Sequence, residues 1–168
     1  MSVSIDYTSL ARDIKLWARE LGFADTGIAG TDLGDDETHL ESWLAEGHHG
    51  EMDYMARHGT RRSRPAELEP GTLRVISLRM DYIPPGMPNA WDVIRDGEKA
   101  YVARYALGRD YHKLMRNRLQ KLATRIEERI GEFKYRAYVD SAPVLEKAIA
   151  RNAGLGWIGK HTVVINKR

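Results

Sequence analysis

Residues 138–161, YVDSAPVLEKAIARNAGLGWIGKH, set an aromatic and β-branched pair, an acid, a helix-forming run and a glycine-rich turn in close succession. Tyr138 and Val139 favour extended backbone, so Tyr135–Asp140 is expected as a strand with Asp140 at its end. Pro143 suits the first turn of the helix expected to follow over 142–154. That order places a carboxylate at the C-terminal end of a strand, where open α/β sheets hold their ligands. Two readings of Asp140 fit this position: a side chain that caps the helix, or a reactive acid.

The turn itself resembles a phosphate-binding loop only superficially. Four residues do separate Gly154 from Gly159-Lys160, but His161 stands where a hydroxyl residue would hold magnesium. The turn also follows a helix and leads into a strand-like TVVIN (162–166), the reverse of the order such a loop requires. Glycines beside Trp157 are instead expected to let backbone approach a large, flat ligand closely.

Working outward, Leu10, Ile14, Trp17 and Leu21 recur on one helical face, with Gly22 as the stop. ADTGIAG (24–30) reads as a short strand, and DDETHLESWLAEG (35–47) as a helix with acids in its first turn. Residues 48–65 read as a short helix running into a basic loop. Val75, Ile76, Leu78 and Met80 mark a strand covered on both faces. A proline-rich loop follows from 83, and AYVARYAL (100–107) reads as another strand. The clearest helix is 110–131, with Leu114, Met115, Leu119, Leu122, Ile126 and Ile130 as its buried stripe. Strands alternating with helices predict an α/β or α+β class: a layered sheet with flanking helices in one domain over 1–168. The chain ends on a strand-like segment with no capping tail, the pattern of part of something longer.

The 168 residues carry a net charge of +2 that hides a strong asymmetry. Residues 1–56 hold 12 acids against 3 Lys/Arg, whereas 101–125 hold 7 Lys/Arg against 1 acid. A basic middle suits a polyanion, or else pairs with the acidic first third. There is no cysteine, which excludes disulfides and thiolate-held metal centres in this chain. The six histidines form no zinc pattern. No apolar run of about 18 residues is present, and the first residues lack a secretory signal; a cytoplasmic address and no membrane contact are expected. A second constellation stands at RYALGRDYHK, where Arg104, Tyr105, Arg109, Asp110, Tyr111 and His112 crowd the start of the long helix. Interleaved aromatic and basic groups can stack on rings and hold amides or phosphates; the plainer reading is a solvated helix start with Arg109 and Asp110 paired.

LGFADTGIAG, HGEMDYMARH, PGTLRVISLRMDY, RYALGRDYHKLMRNRLQKL, VDSAPVLEKAIARNAGLGWIGKH and TVVIN, taken in order, resemble the N-terminal half of the epoxyqueuosine reductase family. The resemblance implies a cobalamin-binding, nitroreductase-like core that acts on epoxyqueuosine in tRNA and draws on an external electron donor. It further implies a ferredoxin-like domain with two [4Fe–4S] clusters, absent from this chain, and a monomer. Asp140 matches the family's proton donor. The same resemblance assigns Arg57, Tyr105, Asp140, Ser141, Lys160 and His161 to the cofactor, and no metal ligand to the chain. Arg61, Arg62, Arg64, Arg109, Lys113 and Arg116 become the candidates for tRNA phosphates. A non-catalytic RNA-binding module and a flavin-dependent, nitroreductase-like enzyme stand as the alternatives.

Overall fold

The computed structural model describes residues 5–83, 85–140 and 142–167. Helix α1 (Tyr7–Glu20) starts where Asp6 accepts hydrogen bonds from the Thr8 and Ser9 amides at 2.9 and 3.1 Å. It ends at Gly22, whose φ of +85° is a left-handed conformation that glycine adopts without strain. Strand β1 (Asp25–Ala29) follows, then α2 (Gly34–Ala45), α3 (Pro65–Leu68) and strand β2 (Val75–Arg79). Helices α4 (Ala90–Arg95), α5 (Tyr111–Ile130) and α6 (Glu146–Asn152) lead to the short strands β3 (Trp157–Ile158) and β4 (Val164–Ile165).

β1 and β2 pair antiparallel, with Ile28 opposite Ile76 and Thr26 opposite Leu78. Side chains alternate across such a pair, so Ile28, Ile76, Leu78 and Met80 share one face. That face meets the main core: Leu10, Ile14 and Ala18 of α1, Phe23, and Leu122 and Ile126 of α5. The opposite face carries Val75 and Gly27 and meets α6 through Ala148 and Ile149, with Leu33 in the same cluster. The strands are therefore covered on both sides, as their composition predicts, within an α+β fold of layered helices and strands. Gly27 permits the closest approach: a Cβ there would lie 2.3 Å from the Ala153 carbonyl oxygen.

Two expected strands do not form. Residues 101–107 are irregular, with a 3-10 turn at Arg104–Ala106 and an Arg104 hydrogen bond to the Pro88 carbonyl at 2.7 Å. Residues 135–140 are likewise irregular and find no ladder among the described residues. The chain turns at Gly131 (φ +86°) and runs back along α5, which Tyr135 meets at Gln120 and Asp140 meets at Tyr111. β-propensity without a neighbouring edge leaves a segment extended but unpaired. The following helix starts at Glu146, so Pro143 precedes it and Asp140 does not cap it. Leu114, expected in the buried stripe, is 45% exposed, whereas Met115 and Leu119 pack partly buried against the core and Leu122 and Ile126 are buried in it.

Part of the basic segment is structural. Arg62 is buried, and its guanidinium donates to the Met55 and Tyr54 carbonyls at 3.2 and 3.0 Å. Its own carbonyl accepts from the Leu145 amide at 3.1 Å, which ties this turn to the start of α6. Arg64 grips Glu37 of α2 at 2.7 Å and Glu67 at 2.9 Å, while Ser63 also donates to Glu37. These bonds hold the Glu37 carboxyl down to about 2, from an ordinary 4.5, with Arg64 the main cause and Ser63 next.

The stabilisation from Glu37 is accordingly complete above about pH 4.5 and is lost as the pH falls towards 2. Glu37→Gln is expected to weaken the fold at neutral pH and to flatten its acid unfolding between those values, as read by far-UV circular dichroism with urea. Gly27→Ala is expected to cost about 1–3 kcal/mol in chemical denaturation, because the Ala153 carbonyl cannot yield without shifting α6.

Candidate functional site

Asp110 builds the site from the start of α5. Its carboxylate accepts from the His112 amide at 3.0 Å and sits 2.9 Å from His112 Nδ1, so it caps the helix and orients the imidazole together. These bonds, the one to the His112 ring first, lower the Asp110 carboxyl below the ordinary range. The expected partner, Arg109, is not what Asp110 binds: the contact is with His112. The Tyr111 and His112 rings stack, with centroids 4.2 Å apart and planes at 24°.

Both rings address Asp140. Tyr111 Oη donates to Asp140 Oδ2, and His112 Nε2 lies 3.4 Å from the same oxygen. Asp140 itself takes a left-handed backbone conformation, φ +58°, which aspartate tolerates better than most residues. Its side chain stays half exposed. The bond to Asp140 is the main cause that pushes the Tyr111 phenol up to about 12; the Asp140 charge and the nearby Tyr105 add to it. Glu146, exposed as a residue but with its carboxyl partly buried, is raised first by burial and then by the Asp140 charge.

Beneath the same loop lies an open cleft of about 410 Å3, lined by Glu69, Arg116, Arg136, Tyr138, Val139 and Pro143 among others. Glu69 binds Arg136 at 3.1 Å and accepts from Tyr138 Oη at 2.8 Å. Arg116 projects from α5 one turn beyond His112, on the same helix face, and has no carboxylate partner among the described residues.

The remaining predicted residues divide. Tyr105 sits in the 3-10 turn that leads to α5, and it is exposed. Lys160 and His161 occupy the exposed turn between β3 and β4, where His161 Nδ1 accepts from the Val163 amide at 3.2 Å. Arg57 is exposed in the turn before Arg61. Ser141 lies outside the described residues. Among the phosphate candidates, Arg61, Arg109, Lys113 and Arg116 are exposed. Arg62 is withdrawn into the interior and Arg64 is engaged by two glutamates, which removes both from the free surface cations. The glycines of the turn serve the chain itself: a Cβ at Gly156 would meet the Ile165 carbonyl at 2.1 Å, and one at Gly159 the Ile165 side chain at 2.7 Å. The close approach these two glycines permit is between the two arms of a hairpin. Among the described residues no cluster of three or more His, Cys, Asp or Glu could hold a bare metal ion.

The pairing of Tyr111 and His112 with Asp140 escaped the sequence reading, although all three residues stood in the two stretches singled out. The signal available was Gly131, which ends α5 and reverses the chain.

The sequence and the layered α+β fold both have parallels among known proteins. A family model described as epoxyqueuosine reductase QueG, DUF1730, matches residues 62–141. An epoxyqueuosine reductase of Pseudomonas aeruginosa is 64% identical over 163 residues, 97% of this chain and 45% of that protein. Over the residues it spans, the chain is similar to the epoxyqueuosine reductases; it spans about 45% of the length of that relative. Among solved structures, epoxyqueuosine reductase from Streptococcus thermophilus aligns with a TM-score of 0.75 and 26% identity, covering 94% of this chain and 42% of that one. An epoxyqueuosine reductase crystallised with an epoxyqueuosine-modified tRNA stem loop shares the fold, with a TM-score of 0.73 at 18% identity, over 96% of this chain and 42% of that one. No helix among the described residues is long and apolar enough to cross a membrane.

Replacing Asp140 by Asn removes the charge opposite Tyr111. The Tyr111 phenol is then expected to fall from about 12 towards its ordinary 10, as followed by the ring-carbon NMR signal through an alkaline titration.

Proposed function

We propose that this chain is the cofactor- and substrate-binding part of an epoxyqueuosine reductase, with Asp140 as the acid that protonates the departing epoxide oxygen. The observation that carries this reading is the convergence of Tyr111 and His112 on a half-exposed Asp140, in a loop whose Tyr138, Val139, Ala142 and Pro143 line an open cleft. Removal of an epoxide oxygen leaves a carbon–carbon double bond and releases the oxygen as water, which requires two electrons and two protons. An alkoxide is a poor leaving group, so the first proton belongs on the oxygen as the C–O bond opens.

Cobalamin suits the residues present. The β3–β4 hairpin exposes the apolar Trp157 and Val163, beside the hydrogen-bonding side chains of Lys160 and His161 in its turn. Those two, with Arg57 and Tyr105, would hold the ring, whose rim of amides both donates and accepts. When bound, the reduced cofactor supplies the electrons for C–O cleavage. The protein orients the epoxide, and the Asp140 carboxyl is the group that delivers the proton. Because the chain has no cysteine, the two [4Fe–4S] clusters of this reading would be held by another part of the full-length protein, where they would supply electron transfer from an external donor.

Exposed Arg61, Arg109, Lys113 and Arg116 are the proposed phosphate contacts of a tRNA bearing epoxyqueuosine, in a monomeric, cytoplasmic enzyme. Full-length protein carrying Asp140→Asn is expected to retain the visible absorbance of bound cobalamin and to lose turnover by at least about a hundredfold. Undiminished turnover removes Asp140 from the role. A colourless protein that still binds RNA identifies a binding module instead, and a yellow one identifies a flavin enzyme.

A further inference from the structure

We propose that the cleft beneath the Asp140 loop is a phosphate subsite, in which Arg116 and Arg136 together take one phosphodiester of an RNA backbone. This rests on the reading of RNA as the partner, and it adds to the exposed cations a defined place for one phosphate. Three segments meet at the cleft: the end of α3 with Glu69, α5 with Arg116, and the segment on either side of Asp140 with Arg136. Neither guanidinium donates a hydrogen bond among the described residues. Arginines that support the fold are bonded instead: Arg62 to two carbonyls, Arg64 to two glutamates and Arg151 to Asp36.

Arg136 has one anionic neighbour. Its Nη1 lies 3.1 Å from a Glu69 oxygen that also accepts from Tyr138 Oη at 2.8 Å. The same guanidinium sits 5.7 Å from the centre of the Tyr138 ring. The Arg136 side chain is 64% exposed, and an ion pair in that setting is weak enough to be exchanged. Tyr138 keeps its proton at neutral pH, because burial first and Glu69 next push its phenol up. Two cations therefore face one carboxylate, and the surplus positive charge suits an entering anion.

The ligand class follows from the donors and the shape. A guanidinium presents a planar fork of N–H groups that matches two oxygens of a phosphate. The cleft is open, so a polymer can continue on either side of the phosphate it holds. Lys113 lies one turn before Arg116 and Arg109 precedes the helix, both exposed, so positive charge leads along α5 into the cleft. A phosphate held by both arginines bridges α5 to the segment that carries Asp140.

The test measures binding of an unmodified tRNA stem loop to the full-length protein by fluorescence anisotropy over a series of salt concentrations, with no turnover required. Arg116→Gln and Arg136→Gln are each expected to weaken binding about fivefold and to reduce the slope of log K against log salt by about one. Glu69→Gln removes the competing carboxylate and is expected to tighten binding about threefold. Arg12→Gln, an exposed change on α1, is the control and is expected to alter neither quantity. Stem loops with a single neutral methylphosphonate then locate the contact. At one position this replacement is expected to weaken binding to the unaltered protein and to add no further loss in the two arginine variants. Unchanged affinity and slope in both arginine variants, or losses that simply add at every position, overturn the subsite alone. An unaltered protein that binds no stem loop overturns the RNA reading together with it.

Discussion

Everything at the site depends on the burial of one half of α5. Leu122 and Ile126 lock that half against Leu10, Ile14 and Ala18 of α1, with β1 and β2 closing the same core. Dispersion and hydrophobic burial concentrated at one end of a helix about 30 Å long fix its direction. The other end is then free to be polar and exposed, yet it is as immobile as the core that holds it. Asp110, Tyr111 and His112 sit at that free end.

The second constraint is the turn at Gly131. A left-handed residue there reverses the chain, and the segment that follows tracks α5 back to its first turn. Asp140 arrives beside Tyr111 because the two segments have matched lengths, not because a strand delivers it. The loop that carries Asp140 is tied in turn to the Arg62 hub through Leu145, so a buried arginine from the basic segment supports the site from below. In this protein, a guanidinium that looks like an RNA contact holds a loop in place.

Charge is sorted in the same manner. The acidic first third does pair with part of the basic segments, as Glu37 does with Arg64 at 2.7 Å and Glu20 with Arg125 at 2.5 Å. What remains unpaired around the site is a smaller cationic set on α5 and the turn before it. Arg116 in the cleft and Lys113 on the helix surface are therefore a more selective electrostatic feature than the net charge of the segment suggests.

The sequence by itself determined the helices α1, α2 and α5, the strands β1 and β2, and the two stretches that carry the chemistry. These are local matters: apolar spacing, caps and glycine stops act within a few residues of one another. It also carried the family likeness, because RYALGRDYHK and VDSAP are specific runs. Only the tertiary structure decided that residues 101–107 and 135–140 are not strands, since a strand exists only with a partner edge. It alone buried Arg62, closed the glycine turn upon Ile165, and brought Tyr111 and His112 to Asp140. Those outcomes depend on which other segment arrives, and the contact that brings Tyr111 to Asp140 spans 29 residues.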